Sequence, residues 1–154
     1  MSQRLELRYS IDISAPSATV WKAIWTPEHY EKWTSHFHPG SRYEGTLAEG
    51  EVIRFLGPTS ENGESGLASK IVKWVPDSEC WLCSLGLIVD GEIVTEGEGA
   101  ADWIDSREEY RLVQNGDVCS FNVLVESPES MREYFDSAWA KSLAELKGIA
   151  ESLA

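Results

Sequence analysis

Apolar and polar residues alternate strictly near the start of the chain. Leu5, Leu7, Tyr9, Ile11 and Ile13 interleave with Glu6, Arg8, Ser10, Asp12 and Ser14. Successive side chains on a strand point to opposite faces, so this run predicts a strand with one wet face. Ser14-Ala15-Pro16 breaks the pattern. Val20, Trp21, Ile24 and Trp25 then recur at helical spacing and predict a short helix. Thr26-Pro27-Glu28 opens a second one, with a capping hydroxyl, a proline in the first turn and an acid near the positive helix end. Tyr30 and Trp33 give that helix its apolar side, and His36 to Arg42 reads as loop.

The middle of the chain is strand text. Runs from Glu51 to Leu56, Ser65 to Val75, Glu79 to Val89, Glu109 to Val113 and Val118 to Glu126 are separated by turn signals. These signals are Gly57-Pro58 with Ser60-Glu61-Asn62-Gly63, then Pro76-Asp77, Asp90-Gly91 and Asn115-Gly116. Glu92 to Ile104 reads as a further strand, with a bulge or loop at Gly97 and Gly99. A final amphipathic helix runs from about Pro128 to Leu153, started by Ser127-Pro128-Glu129. Its stripe includes Met131, Tyr134, Phe135, Ala138, Trp139, Leu143, Leu146, Ile149 and Ala150. At 1.5 Å per residue it would be about 36 Å long, the width of a small domain.

Consecutive strands joined by hairpin signals predict a mostly antiparallel sheet, and helices confined to the ends predict an α+β class. The expected architecture is a curved sheet of about six to seven strands wrapped around the last helix, with a cavity left between them. The 154 residues show no repeat and no linker, so residues 1–154 are expected to form a single domain.

Composition narrows the functional classes. A formal charge of −13 repels phosphate backbones and anionic headgroups, and no basic stripe offsets it, so no nucleic-acid partner is expected. No apolar run reaches the roughly 18 residues of a membrane span. Met1-Ser2-Gln3-Arg4 lacks the apolar stretch of a secretion signal. The odd set Cys80, Cys83 and Cys119 points to a reducing compartment, and together these features predict a cytoplasmic protein. Cys80 and Cys83 have C-x-x-C spacing but fall on a strand, where residues three apart face opposite ways. A redox site needs a helix start and a zinc site needs a second pair, so buried free thiols are expected.

Ile11 to Pro16, Val20-Trp21-Lys22-Ala23, Pro27-Glu28 and Trp33 resemble the START-like (SRPBCC, helix-grip) superfamily, which includes the birch-pollen allergen fold. Gly86 with Asp90-Gly91-Glu92, and Tyr134-Phe135, Trp139, Leu143 and Leu146-Lys147, resemble the branch named for the activator of the heat-shock-protein-90 ATPase. The resemblance implies a cavity between the sheet and the last helix. It implies no shared catalytic set, because the fold hosts lipid carriers, receptors and cyclases.

Seven tryptophans are many for this length and suit the wall of a groove or cavity. The candidate ligand-binding residues on the strands are Phe55, Trp74, Trp81, Cys83, Trp103 and Tyr110; those on the last helix are Tyr134, Phe135 and Trp139. Which face of each strand looks inward is open at this point, since a one-residue shift exchanges the two sets. Tyr134 is the best polar handle, because a buried phenol wants a partner. His36 and His38 read as exposed loop residues without further metal ligands nearby, and His29 as a solvent-facing one. Glu92, Glu96, Glu98 and Asp102 read as one solvated strand face, and Arg54 and Arg111 as outer decoration. No spacing marks a catalytic set, a metal or a cofactor. The expected function is binding of a small apolar or amphipathic molecule. The alternatives are a cyclase- or dehydratase-like enzyme using the same cavity, and a co-chaperone-like interaction module; a homodimer is a further possible partner state.

Overall fold

The computed structural model describes residues 4–57 and 65–154. The expected turn at Ser60-Glu61-Asn62-Gly63 lies outside the described residues. The first strand, β1 (Arg4–Ile13), leads into two short helices, α1 (Ser17–Trp25) and α2 (Pro27–Trp33). A 3-10 turn over Thr34–His36 follows. Then come β2 (Arg42–Glu44), β3 (Val52–Leu56), β4 (Ser65–Val75), β5 (Glu79–Val89) and β6 (Glu92–Val94). A one-turn helix, α3 (Glu98–Ala101), precedes β7 (Arg107–Asn115) and β8 (Val118–Pro128). A second 3-10 turn, Glu129–Met131, enters the long helix α4 (Arg132–Leu153).

The strands form one antiparallel sheet in the order β1-β8-β7-β5-β4-β3-β2, with β6 pairing β5 outside that path. The sheet forks along β5. Glu79 to Cys83 pair with β7, whereas Leu87 to Val89 pair with β6. Gly86 stands at the fork with φ +153°, and a Cβ there would lie 2.4 Å from the Val94 carbonyl oxygen. Only glycine lets the two backbones approach this closely.

Each element follows from its residues, with four differences from expectation. The Thr26 hydroxyl does not cap α2; its carbonyl instead accepts bonds from the His29 and Tyr30 amides. The segment after β6 turns into α3 rather than continuing as a strand, so Glu92, Glu96 and Asp102 share no strand face. β8 runs through Pro128, so α4 starts four residues later than predicted and its 22 residues span about 33 Å. The thiol of Cys83 is half-buried, while Cys80 and Cys119 are fully buried; all three are free.

The main core cluster lies between the inner sheet face and the helices, and a second small cluster joins Leu56, Ala68 and Ile88. Ile13, Val20, Ile24, Trp33, Ile53, Ile71, Leu82, Phe121 and Leu146 are at most 2% exposed. Helix α4 divides in two. Its C-terminal half inserts Leu143, Leu146 and Ala150 into that core, and its N-terminal half, with Tyr134, Phe135 and Trp139, roofs a cavity.

Candidate functional site

Between the inner sheet face and the first turns of α4 lies a cavity of about 620 Å³. That is within the range of sites for small organic ligands. Its floor is made by β3, β4, β5, β7 and β8, through Phe55, Leu67, Leu82, Ser84, Tyr110 and Val125. Its roof is Met131, Tyr134, Phe135 and Trp139, and its side wall runs from Tyr30 and Trp33 through Phe37 to His38 and Arg42. The aromatic rings hold one another in place. Phe37 meets Trp139 edge-on at 5.0 Å between centroids, and Trp103 meets Phe135 edge-on at 6.0 Å. Trp103 is fixed from below, because Arg4 donates to the carbonyls of Asp102 (3.2 Å) and Ile104.

Of the nine candidate residues, Phe55, Trp103, Tyr110, Tyr134, Phe135 and Trp139 stand on this cavity wall. Trp103 does so from the turn after α3, not from a strand. Trp74 does not line the cavity. It packs in an aromatic cluster with Trp21 and Trp25, at 5.0 and 5.6 Å between ring centroids. Trp81 and Cys83 are on the opposite face of β5 from Leu82 and Ser84. There the Lys73 ammonium sits 4.4 Å from the centre of the Trp81 ring and the Arg111 guanidinium 5.6 Å away. Those cations keep an outward-facing indole covered, which is why its apolar character misleads. Tyr134 sits at the cavity margin and its hydroxyl is already committed, donating to the Phe37 carbonyl. His38 lines the wall although it reads as a plain loop residue, and His36 contacts Glu145 at 3.3 Å outside it.

The ionisable group the sequence reading passes over is Glu108. It belongs to the inward face of β7 with Tyr110 and Leu112, and the surface it retains is on the cavity wall. Its cross-strand neighbours are Leu82 on β5 and Val125 on β8. The Tyr110 hydroxyl donates to its Oε2 at 2.8 Å. Loss of water around the carboxyl raises its pKa to about 7, and the Tyr110 bond offsets only part of that. Burial beside this charge also raises the pKa values of Tyr110, Tyr30 and Cys80, the last to about 12. The signal was present in the sequence: Glu108, Tyr110 and Leu112 have period-two spacing, so if Tyr110 looks inward Glu108 must too.

Thr34, Ser41, Ser65, Ser69, Ser84 and Ser106 add hydroxyls to the wall. Among the described residues the Ser84 hydroxyl and the Trp139 indole N–H, both buried, find no hydrogen-bond partner. Arg107 and Glu126 touch the cavity edge from the outer parity of their strands and pair with each other at 3.4 Å. Among the described residues no three His, Cys, Asp or Glu side chains cluster as metal ligands.

Neither known family models nor curated proteins match this sequence. Solved structures match its fold. An Aha1 dimer from Colwellia psychrerythraea, solved in solution, superposes with a TM-score of 0.68 at 17% identity, covering 96% of both chains. Protein CV1439 from Chromobacterium violaceum gives 0.68 at 17% identity, over 95% of this chain and 96% of that one. CalU16 from Micromonospora echinospora gives 0.62 at 17% identity, over 97% and 86%. The fold is the helix grip, shared with these solved structures. In that fold the sheet grips the terminal helix, and the helix-grip cavity described above occupies the gap between them. No described helix is long and apolar enough to cross a membrane.

Proposed function

We propose that this helix-grip protein binds a small apolar or amphipathic molecule in the cavity beneath α4. The observation that supports it is the cavity itself: about 620 Å³ of space with an aromatic and aliphatic wall, interrupted by serines, Thr34 and Glu108 and edged by His38, Arg42, Arg107 and Glu126. A core meant only for stability would close such a space, because unfilled volume costs stability. N-phenylnaphthylamine, a neutral dye that fluoresces in apolar surroundings, is expected to bind the folded protein and to be displaced by medium-chain alcohols. Substituting Leu67→Trp or Phe135→Ala, on opposite walls, should weaken that binding at least severalfold. A folded protein that leaves the dye dark, and whose melting temperature no ligand in a broad apolar panel raises, would refute the proposal.

A second reading is favoured by Glu108. A carboxyl with a pKa near 7 on the wall of a cavity has the properties of a general acid or base, which is what a cyclase- or dehydratase-like enzyme would need. Binding without turnover separates the two. The Colwellia relative is described as a dimer, and a homodimer belongs to the proposal on that ground alone. Light scattering after size-exclusion chromatography tests it. A chaperone partner is supported only by the name of that relative, and a pull-down with an ATPase assay tests that idea.

A further inference from the structure

We infer that the cavity ligand carries a protonated amine on an apolar body, and that Glu108 is its counter-ion. This rests on the reading of the cavity as a binding site. A stranded carboxyl is the starting point. Its neighbours across the sheet, Leu82 and Val125, are apolar, and among the described residues its one hydrogen bond comes from Tyr110. No described cation forms a salt bridge with it. A half-buried, desolvated carboxyl without a positive partner costs stability, so its presence on a cavity wall points to a function.

The groups around it agree. From α4 the wall receives Tyr134, Phe135 and Trp139, none of them charged. From α2 comes Tyr30, and from β5 the neutral thiol of Cys80 is near enough to feel the Glu108 charge. The arginines on the wall are Arg42, at the start of β2, and Arg107 on the outer parity of β7, and the imidazole of His38 lies on the loop before β2. Arg42 donates to the Gly57 carbonyl at 2.8 Å, and Arg107 is held by Glu6, Glu109 and Glu126. Aromatic faces attract ammonium groups and favour them over carboxylates. The overall charge of −13 raises the local concentration of organic cations. An apolar acid would meet the opposite conditions at Glu108.

The test compares decylamine with decanol, which share a chain and differ in the head group. Both compete against N-phenylnaphthylamine in the wild-type protein and in Glu108→Gln, at pH 6 and pH 8.5. Decylamine stays protonated throughout, while Glu108 passes from mostly neutral to ionised. Decylamine should therefore bind about tenfold more tightly at the higher pH, and decanol should show no such gain. In Glu108→Gln the decylamine gain should vanish, and the variant's circular dichroism and cooperative thermal unfolding show that it is folded. Equal behaviour of the two ligands, or a decylamine gain that survives Glu108→Gln, would overturn the amine assignment and leave the apolar cavity standing. Failure of dye and decanol to bind the wild type would overturn both.

Discussion

Glu108 spends free energy whenever it ionises in place, and that has a measurable sign. Its pKa moves from an ordinary 4.5 to about 7 in the fold. Between those values the folded chain holds a proton that the unfolded chain has released. Stability therefore falls as pH rises through this window and levels off above it. The expected loss attributable to Glu108 is on the order of 1–3 kcal/mol. Urea unfolding of the wild type and of Glu108→Gln from pH 4.5 to pH 8 isolates it, because the other acids titrate alike in both. Superimposable pH profiles would mean that the carboxyl is solvated after all. The same residue shows the limit of reading one residue at a time. Glu-Glu-Tyr-Arg-Leu over 108–112 looks like a charged strand, and charge usually marks solvent. Only parity with Tyr110 and Leu112 reveals that one of the two acids is inside.

At the scale of elements, the strongly periodic segments were legible and the ambiguous ones were not. The strict alternation of β1 and the stripe of α4 each admit one arrangement. β5 does not, because Cys80, Leu82 and Ser84 are hardly less apolar than Trp81, Cys83 and Leu85. The inner face was settled by packing that the sequence does not display, with Lys73 and Arg111 covering Trp81 outside. One extra residue, Leu85, between the pairs Ala68–Gly86 and Ser69–Ser84 then shifts the register, so Leu87 reaches the cavity wall out of phase with Ser84. The division within α4 yields a prediction of its own. Leu146 is fully buried, so Leu146→Ala should cost about 2–5 kcal/mol. Phe135 borders open space and loses fewer contacts, so Phe135→Ala should cost less stability yet impair dye binding more. Chemical denaturation and dye titration on both variants decide this. A Phe135→Ala protein less stable than Leu146→Ala would contradict the proposed division.

Over the whole molecule, the order of elements carried the architecture, because strands between terminal helices have few ways to pack. The cavity was expected from the same order, but its polar content was not, since that depends on register and on which loops fold over the roof. Charge acts at this scale too. With 26 acids against 13 bases, at least half of the carboxylates lack a basic partner in one-to-one pairing. Two effects of salt then compete. Surface pairs such as Arg111–Glu79 at 2.9 Å and Lys147–Glu151 at 2.6 Å weaken as salt screens them. Each contributes only about 0–1 kcal/mol. Repulsion among the excess acids is spread over the entire surface and weakens by the same screening, which stabilises the fold. The excess should dominate. Raising sodium chloride from about 20 mM, where screening is weak, to about 300 mM is expected to raise the melting temperature by about 2–5 °C at pH 8. A melting temperature that falls over this range would show that the ion pairs on the outer sheet face hold the molecule more firmly than its surplus charge strains it.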